Sequence, residues 1–174
     1  MSVEKISSLI RDIKDFPKPG IIFKDITPVL KSPEIFAEII EIMASRYRKN
    51  KPDYIVAIES RGFIFGSALA YELGCGIVPV RKKGKLPYKT IETSYELEYG
   101  TATVEMHSDA LKSGDKVVLI DDLLATGGTA GASIRLIDKL GAKIIGVEFL
   151  VELAFLKGRE HIYGLNVNSI VVVP

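Results

Sequence analysis

Apolar residues in this chain occur in two patterns, stripes at helical spacing and short continuous β-branched runs, and the two alternate along its length. Residues 4–13 place Ile6, Leu9, Ile10 and Ile13 at the i, i+3, i+4, i+7 positions of a helix with one buried face, and the prolines and glycine of 16–20 (FPKPG) break it. Ser32 then reads as an N-cap, with Pro33 in the first helical position and Glu34 in the first turn. Ile35, Phe36, Ile39, Ile40, Met43 and Tyr47 follow on one face, and Arg46, Arg48 and Lys49 close the helix. YIVAI (54–58) predicts a strand buried on both faces, feeding a helix over 63–74 that Gly74 terminates. GIVPV (76–80) predicts the next strand, with Pro79 marking its end or an irregularity. A polar interval from 81 to 100 follows, long enough to predict an active-site lid. Residues 101–107 alternate Ala102, Val104 and Met106 with Thr103, Glu105 and His107, the pattern of a half-exposed strand. VVLI (117–120) is a second buried strand. Ile134, Ile137 and Leu140 stripe a helix over 130–140, and 143–152 and 168–173 predict two further strands.

Strand–helix alternation of this kind implies right-handed crossovers and a mostly parallel sheet with helices on both faces, an α/β fold. At 174 residues, 47% hydrophobic and 26% charged, the chain suits one globular domain spanning 1–174. In such sheets ligands bind beyond the carboxyl ends of the strands, so the turns after YIVAI, GIVPV and VVLI are expected to converge on one crevice. The formal net charge of +1 argues against bulk nucleic-acid binding but leaves room for a local basic pocket. Cys75 is the single cysteine, and His107 and His161 have no zinc spacing, so all three are assigned to structure or surface. The amphipathic start of the chain has no secretory h-region, and no stretch approaches a membrane span. A cytoplasmic setting without membrane contact is the expectation.

The candidate chemistry concentrates at residues 117–130, VVLIDDLLATGGTA. Gly127 and Gly128 allow a tight turn and close approach to a ligand, and the helix behind them offers free amides to a phosphate. Such a helix N-terminus contributes about 0.3–1 kcal/mol to anion binding, and the hydroxyls of Thr126 and Thr129 add donors. Asp121 and Asp122 lie upstream of the anion site and suit sugar hydroxyls or a hydrated magnesium ion. No lysine follows the glycines as in a Walker loop, and GxGxxG is absent. In the turn after YIVAI, Arg61 can fork onto a phosphate and Gly62 permits close approach. The run Arg81, Lys82, Lys83, Gly84, Lys85 sits after a core strand, where contact with pyrophosphate is favoured.

The hydrophobic strand, Asp121-Asp122 and LLATGGT resemble the phosphoribosyl-pyrophosphate (PRPP) signature of the type I phosphoribosyltransferases, in a wording closest to their adenine-using branch. The resemblance extends over residues 16–159 and implies a Mg²⁺-dependent transfer of adenine to PRPP that yields AMP and pyrophosphate in purine salvage. It implies that Ala125, Thr126, Gly127, Gly128 and Thr129 hold the 5′-phosphate, and that Ser60, Arg61 and Gly62 belong to a pyrophosphate loop with a non-proline cis peptide near Glu59, Ser60 and Arg61. The segment containing Arg81, Lys82 and Lys85 would reach a neighbouring subunit's site in a homodimer. Residues 1–32 would form a base-binding hood in which Phe23 stacks on adenine between Ile22 and Lys24; relatives carry arginine where this chain has Lys24, so the guanidinium fork is absent. The lid, 81–103, would bring Glu98 as general base beside Tyr99, with Glu105 the less favoured alternative base. No side-chain metal site is implied, magnesium arriving with PRPP and reached by Asp121 and Asp122, if at all, through water. The rival readings are transfer to hypoxanthine, guanine or xanthine, and a non-catalytic PRPP-sensing regulator.

Overall fold

The computed structural model describes residues 3–97 and 100–174. Its helices are α1 (Val3–Leu9), α2 (Thr27–Lys31), α3 (Pro33–Ser45), α4 (Gly62–Leu73) and α5 (Gly128–Lys139). Its strands are β1 (Arg11–Lys14), β2 (Ile22–Asp25), β3 (Tyr54–Ile58), β4 (Gly76–Lys82), β5 (Thr90–Glu96), β6 (Thr101–His107), β7 (Lys116–Leu124), β8 (Lys143–Leu153) and β9 (Val167–Val173). Seven strands make one sheet in the order β5-β6-β4-β3-β7-β8-β9, parallel from β4 to β9, with β6 antiparallel to β4 and β5. The pleat divides each core strand between two apolar layers. Ile55, Ala57, Val118 and Ile120 pack with α3 and α4, whereas Val56, Ile58, Val117 and Leu119 pack with α5. The chain leaves β3 toward β4 on one side and returns to β7 on the other, so a crevice opens between the carboxyl ends of β3 and β7.

The expected helix over 4–13 ends at Leu9, and Arg11–Lys14 is instead a strand paired antiparallel with Ile22–Asp25. Opposite charges face each other across the hairpin: Arg11 forks onto Asp25, and the Lys24 ammonium lies 2.7 Å from Asp12. Asp25 also accepts the Thr27 amide at 2.9 Å, closing the start of α2. That amide, followed by Arg11, holds the Asp25 carboxyl down at about 2. A depressed carboxylate stabilises the fold above its unfolded pKa of about 4, and the contribution is lost as the pH falls through about 2. Asp25→Asn should therefore lower the midpoint of thermal unfolding at pH 6, and wild type and variant should converge near pH 2.

Three other expectations shift. Pro79 does not end its strand: it pairs in register with Ala57, and β6 joins the other edge of β4 only from Arg81 onward, so no ladder hydrogen bond is asked of the proline nitrogen there. The interval 81–100 is not one loop, because Thr90–Glu96 pairs with β6 along its whole length. Glu105, expected on an exposed face, is 3% exposed.

Candidate active site

The three predicted turns do meet. Ser60, Arg61, Lys82, Lys85, Asp121, Asp122 and Thr129 line a cleft of about 380 Å³ at the carboxyl ends of β3, β4 and β7. A smaller hollow of about 70 Å³ adjoins it, enclosed by Asp121 and by residues 123–130. The loop from Ala125 to Gly127 wraps this hollow and delivers the N-terminus of α5 into it, with Gly127 at φ +84° and no side chain capping the helix. The first-turn amides of α5 are therefore left for an anion.

Glycines set the distances between these loops. A Cβ on Gly62 would lie 2.9 Å from Asp121 Oδ1, so only glycine lets α4 start this close to the acidic pair. A Cβ on Gly127 would lie 2.2 Å from the carbonyl oxygen of Gly158, which presses on the cradle from behind. Gly158 carries no local signal in the sequence, because its contact is with a loop thirty residues away in the chain.

The acidic pair is asymmetric. Asp122 is 5% exposed and its carboxylate meets Arg61 Nε at 2.9 Å, while Asp121 is half-buried and accepts the Asp122 amide at 2.8 Å. Burial raises the pKa of both carboxyls; the Asp122 charge pushes Asp121 further up, and the Arg61 guanidinium draws Asp122 back. Arg61 at the same time lies over the Phe23 ring, its Cζ 5.0 Å from the ring centroid, and Phe16 meets that ring edge-on at 5.2 Å. One side chain thus joins the turn after β3, the Asp122 carboxylate and the Phe23 ring. The Glu59–Ser60 peptide bond ahead of it is cis, where the resemblance places one.

The basic run is organised by a residue that sequence reasoning passed over as part of the turn. Glu59 receives Arg81 Nη2 at 3.1 Å, the Lys82 amide, and Lys85 Nζ at 3.5 Å. Burial opposes its charge, yet the Lys82 amide and then Arg81 hold its carboxyl below the usual range. Lys82 and Lys85 face the cleft of their own chain, whereas the Arg81 fork is taken up by Glu59 and does not line it. Glu105 accepts the amides of Lys85 and Leu86 at 2.9 and 2.8 Å, which makes it the anchor of this loop rather than an alternative base. His107 is likewise structural, its Nε2 accepting the Tyr88 amide at 3.4 Å.

The side chains of the three hood residues take different directions. Lys24 is tied to Asp12 beside a separate hollow, and Ile22 is 52% exposed on the hairpin, so neither side chain reaches the cleft; Phe23 alone of the three turns toward Arg61. Glu98 and Tyr99 lie outside the described residues. The lid strand β5 contributes instead a residue not foreseen, Tyr95. Its hydroxyl is 2.8 Å from Thr129 Oγ1, and its ring covers Gly128, where a Cβ would lie 2.8 Å from it. Arg135 and Lys139 of α5 donate to the Ser94 and Glu92 carbonyls and fasten this strand across the cradle. The alternation Ile91, Thr93, Tyr95 was the available signal, obscured by the polarity of the whole interval.

Among the described residues no group of three or more His, Cys, Asp or Glu side chains is set to hold a metal. The half-buried Asp121 at the cleft edge, with one oxygen taken by a backbone amide, fits a hydrated ion whose remaining ligands come with a substrate. No described helix is long and apolar enough to cross a membrane.

An open parallel sheet with an acidic strand end, a Gly/Thr phosphate cradle and a basic loop at its switch point defines a phosphoribosyl-transfer fold. The family model for the phosphoribosyl transferase domain matches residues 25–171. Adenine phosphoribosyltransferase from Acetivibrio thermocellus is 56% identical over 167 residues, covering 95% of this chain and 98% of that one. The crystal structure of adenine phosphoribosyltransferase from Thermoanaerobacter pseudethanolicus superposes with a TM-score of 0.95 at 51% identity, covering 99% and 100% of the two chains. That of Saccharomyces cerevisiae, complexed with adenine and an imino-altritol bisphosphate, gives 0.91 at 38% identity and 97% coverage of each. The chain belongs to the adenine phosphoribosyltransferase family.

Proposed function

We infer that this chain joins adenine N9 to C1′ of PRPP, releasing pyrophosphate and forming AMP, as a purine-salvage enzyme. The observation that carries the reading is the acidic pair and phosphate cradle of 121–129 meeting the Arg61 turn and the basic loop in one cleft. The 5′-phosphate occupies the α5 N-terminus among Ala125, Thr126, Gly127, Gly128 and Thr129, and Asp121 and Asp122 take the ribose hydroxyls. Pyrophosphate lies toward Ser60, Arg61, Lys82 and Lys85. When PRPP arrives, Arg61 exchanges Asp122 for the pyrophosphate, which frees the carboxylate for the diol and uncovers Phe23 for the purine in the same movement. As the C1′–oxygen bond to pyrophosphate breaks and the N9–C1′ bond forms, positive charge develops on the sugar and negative charge on the leaving group. Prepositioned cations then stabilise the departing anion.

Magnesium bound with PRPP would add neutralisation of the pyrophosphate, and Asp121 and Asp122 would hold its waters. Glu98 accepts the N9 proton of adenine, with Tyr99 shaping the site; β5, lying across the cradle, excludes water from the cationic sugar. Glu98→Ala is expected to lower kcat by about 10²-fold with PRPP affinity kept, and a loss under about tenfold in steady-state kinetics dismisses the base assignment.

The working unit is a homodimer in the cytoplasm. Ile64 and Tyr71, seven residues apart on one face of α4, are 41% and 90% exposed and offer an apolar surface to a second copy. Pyrophosphate release is to be followed with PRPP, Mg²⁺ and each purine in parallel. Adenine alone should turn over at a physiological rate; turnover confined to hypoxanthine, guanine or xanthine, or none with any base, overturns the reading.

A further inference from the structure

We propose that Glu152 and Arg159, both outside the cleft, are positioning residues for the 5′-phosphate cradle, acting through the backbone of Gly158; this rests on the function inferred above. Gly158 and the cradle touch backbone to backbone. A Cβ on Gly127 would stand 2.2 Å from Gly158 O, and a Cβ on Gly158 would stand 2.3 Å from Ala125 O. The cradle therefore keeps its curvature only while Gly158 stays where it is. Gly158 opens a short 3₁₀ turn, Gly158–His161, after Lys157 in the left-handed region at φ +54°. So short a turn has little rigidity of its own.

What holds it is the next residue. Arg159 forks onto Glu152 with Nε and Nη2 each 2.7 Å from a carboxylate oxygen, and its Nη1 donates to the Val167 carbonyl at 3.2 Å. Ser169 Oγ donates to the same carboxylate at 2.6 Å. All the outer nitrogens of Arg159 are engaged away from the cleft, so the side chain is no phosphate ligand. Glu152 is 6% exposed and pairs in register with Leu124, the residue at which β7 passes into the cradle. The clamp thus ties the 3₁₀ turn to the strand position from which the phosphate loop departs. A bidentate pair on a buried carboxylate supplies the angular restraint that one contact would lack.

The test compares Glu152→Gln, Arg159→Lys and Arg159→Ala with wild type in steady-state kinetics, with folding followed by circular dichroism. KM for PRPP should rise about tenfold in Glu152→Gln and Arg159→Ala and less in Arg159→Lys, while KM for adenine and kcat stay within about threefold. A merely structural clamp would lower the unfolding temperature and leave the PRPP KM of the folded enzyme unchanged, and that result overturns the proposal. Should these variants fail to fold, Gly158→Ala, which presses on Ala125 from the same side, must show the PRPP-selective rise, and an unchanged KM overturns the proposal equally. If wild type makes no AMP at all, the functional reading has failed. Ribose 5-phosphate binding by calorimetry then decides the clamp alone: weaker binding in the folded variants supports it, and equal binding overturns it.

Discussion

Gly127→Ala should lower kcat/KM for PRPP by about 10²-fold or more while leaving most of the fold intact. Two costs coincide at this position. A φ of +84° is strained for any residue with a Cβ, about 1–3 kcal/mol, and each 1.4 kcal/mol is tenfold in binding. The new methyl group would also lie 2.2 Å from the Gly158 carbonyl, a backbone atom with no rotamer through which to move aside. Strain and clash are both relieved by letting the loop spring away from α5, which dismantles the anion site and spares the sheet beneath. Titration of initial rates against PRPP, with unfolding temperature as a control, checks this. A KM for PRPP within about threefold of wild type would mean that the cradle does not bind the 5′-phosphate.

Arg61→Ala should cost about 10²- to 10³-fold in kcat, the range for removing one prepositioned charge from a developing anion. Arg61→Lys should recover little of it, because an ammonium cannot reproduce the planar fork toward pyrophosphate. The position of Arg61 adds an opposite effect on the base. It lies over the ring that the purine needs and pairs with Asp122 at 2.9 Å, so its removal uncovers Phe23. Adenine KM should be no worse than wild type even as kcat collapses. A rise in adenine KM with kcat retained would show that Arg61 serves the base and not the leaving group.

Much of the fold was legible because its elements are locally consistent. The strand Tyr54–Ile58 and residues 117–120 of β7 are apolar on both faces, and Ser32 accepts the Ile35 amide at the start of α3 as an N-cap should. The failures share a cause. Residues 11–14 continue a helical stripe but are strand because residues 22–25 pair with them, and the polar run 90–96 is strand because β6 lies alongside it. In both, the partner lies in the other arm of a hairpin, and the pattern of one arm read by itself cannot register it.

The same division runs through the site. Residue types and spacing pointed to a Gly/Thr turn and an acidic pair at one strand end, with the arginine turn gaining weight beside them, because glycines, carboxylates and a strand–turn–helix order carry their chemistry locally. Only the tertiary structure could set Arg61 between Asp122 and Phe23, make Glu59 and Glu105 the anchors of the basic loop, bring Tyr95 over Gly128 and lodge Gly158 behind Gly127. These arrangements depend on which strand ends the sheet order brings together. That order is a property of packing two apolar layers against one twisted sheet, not of any segment read by itself.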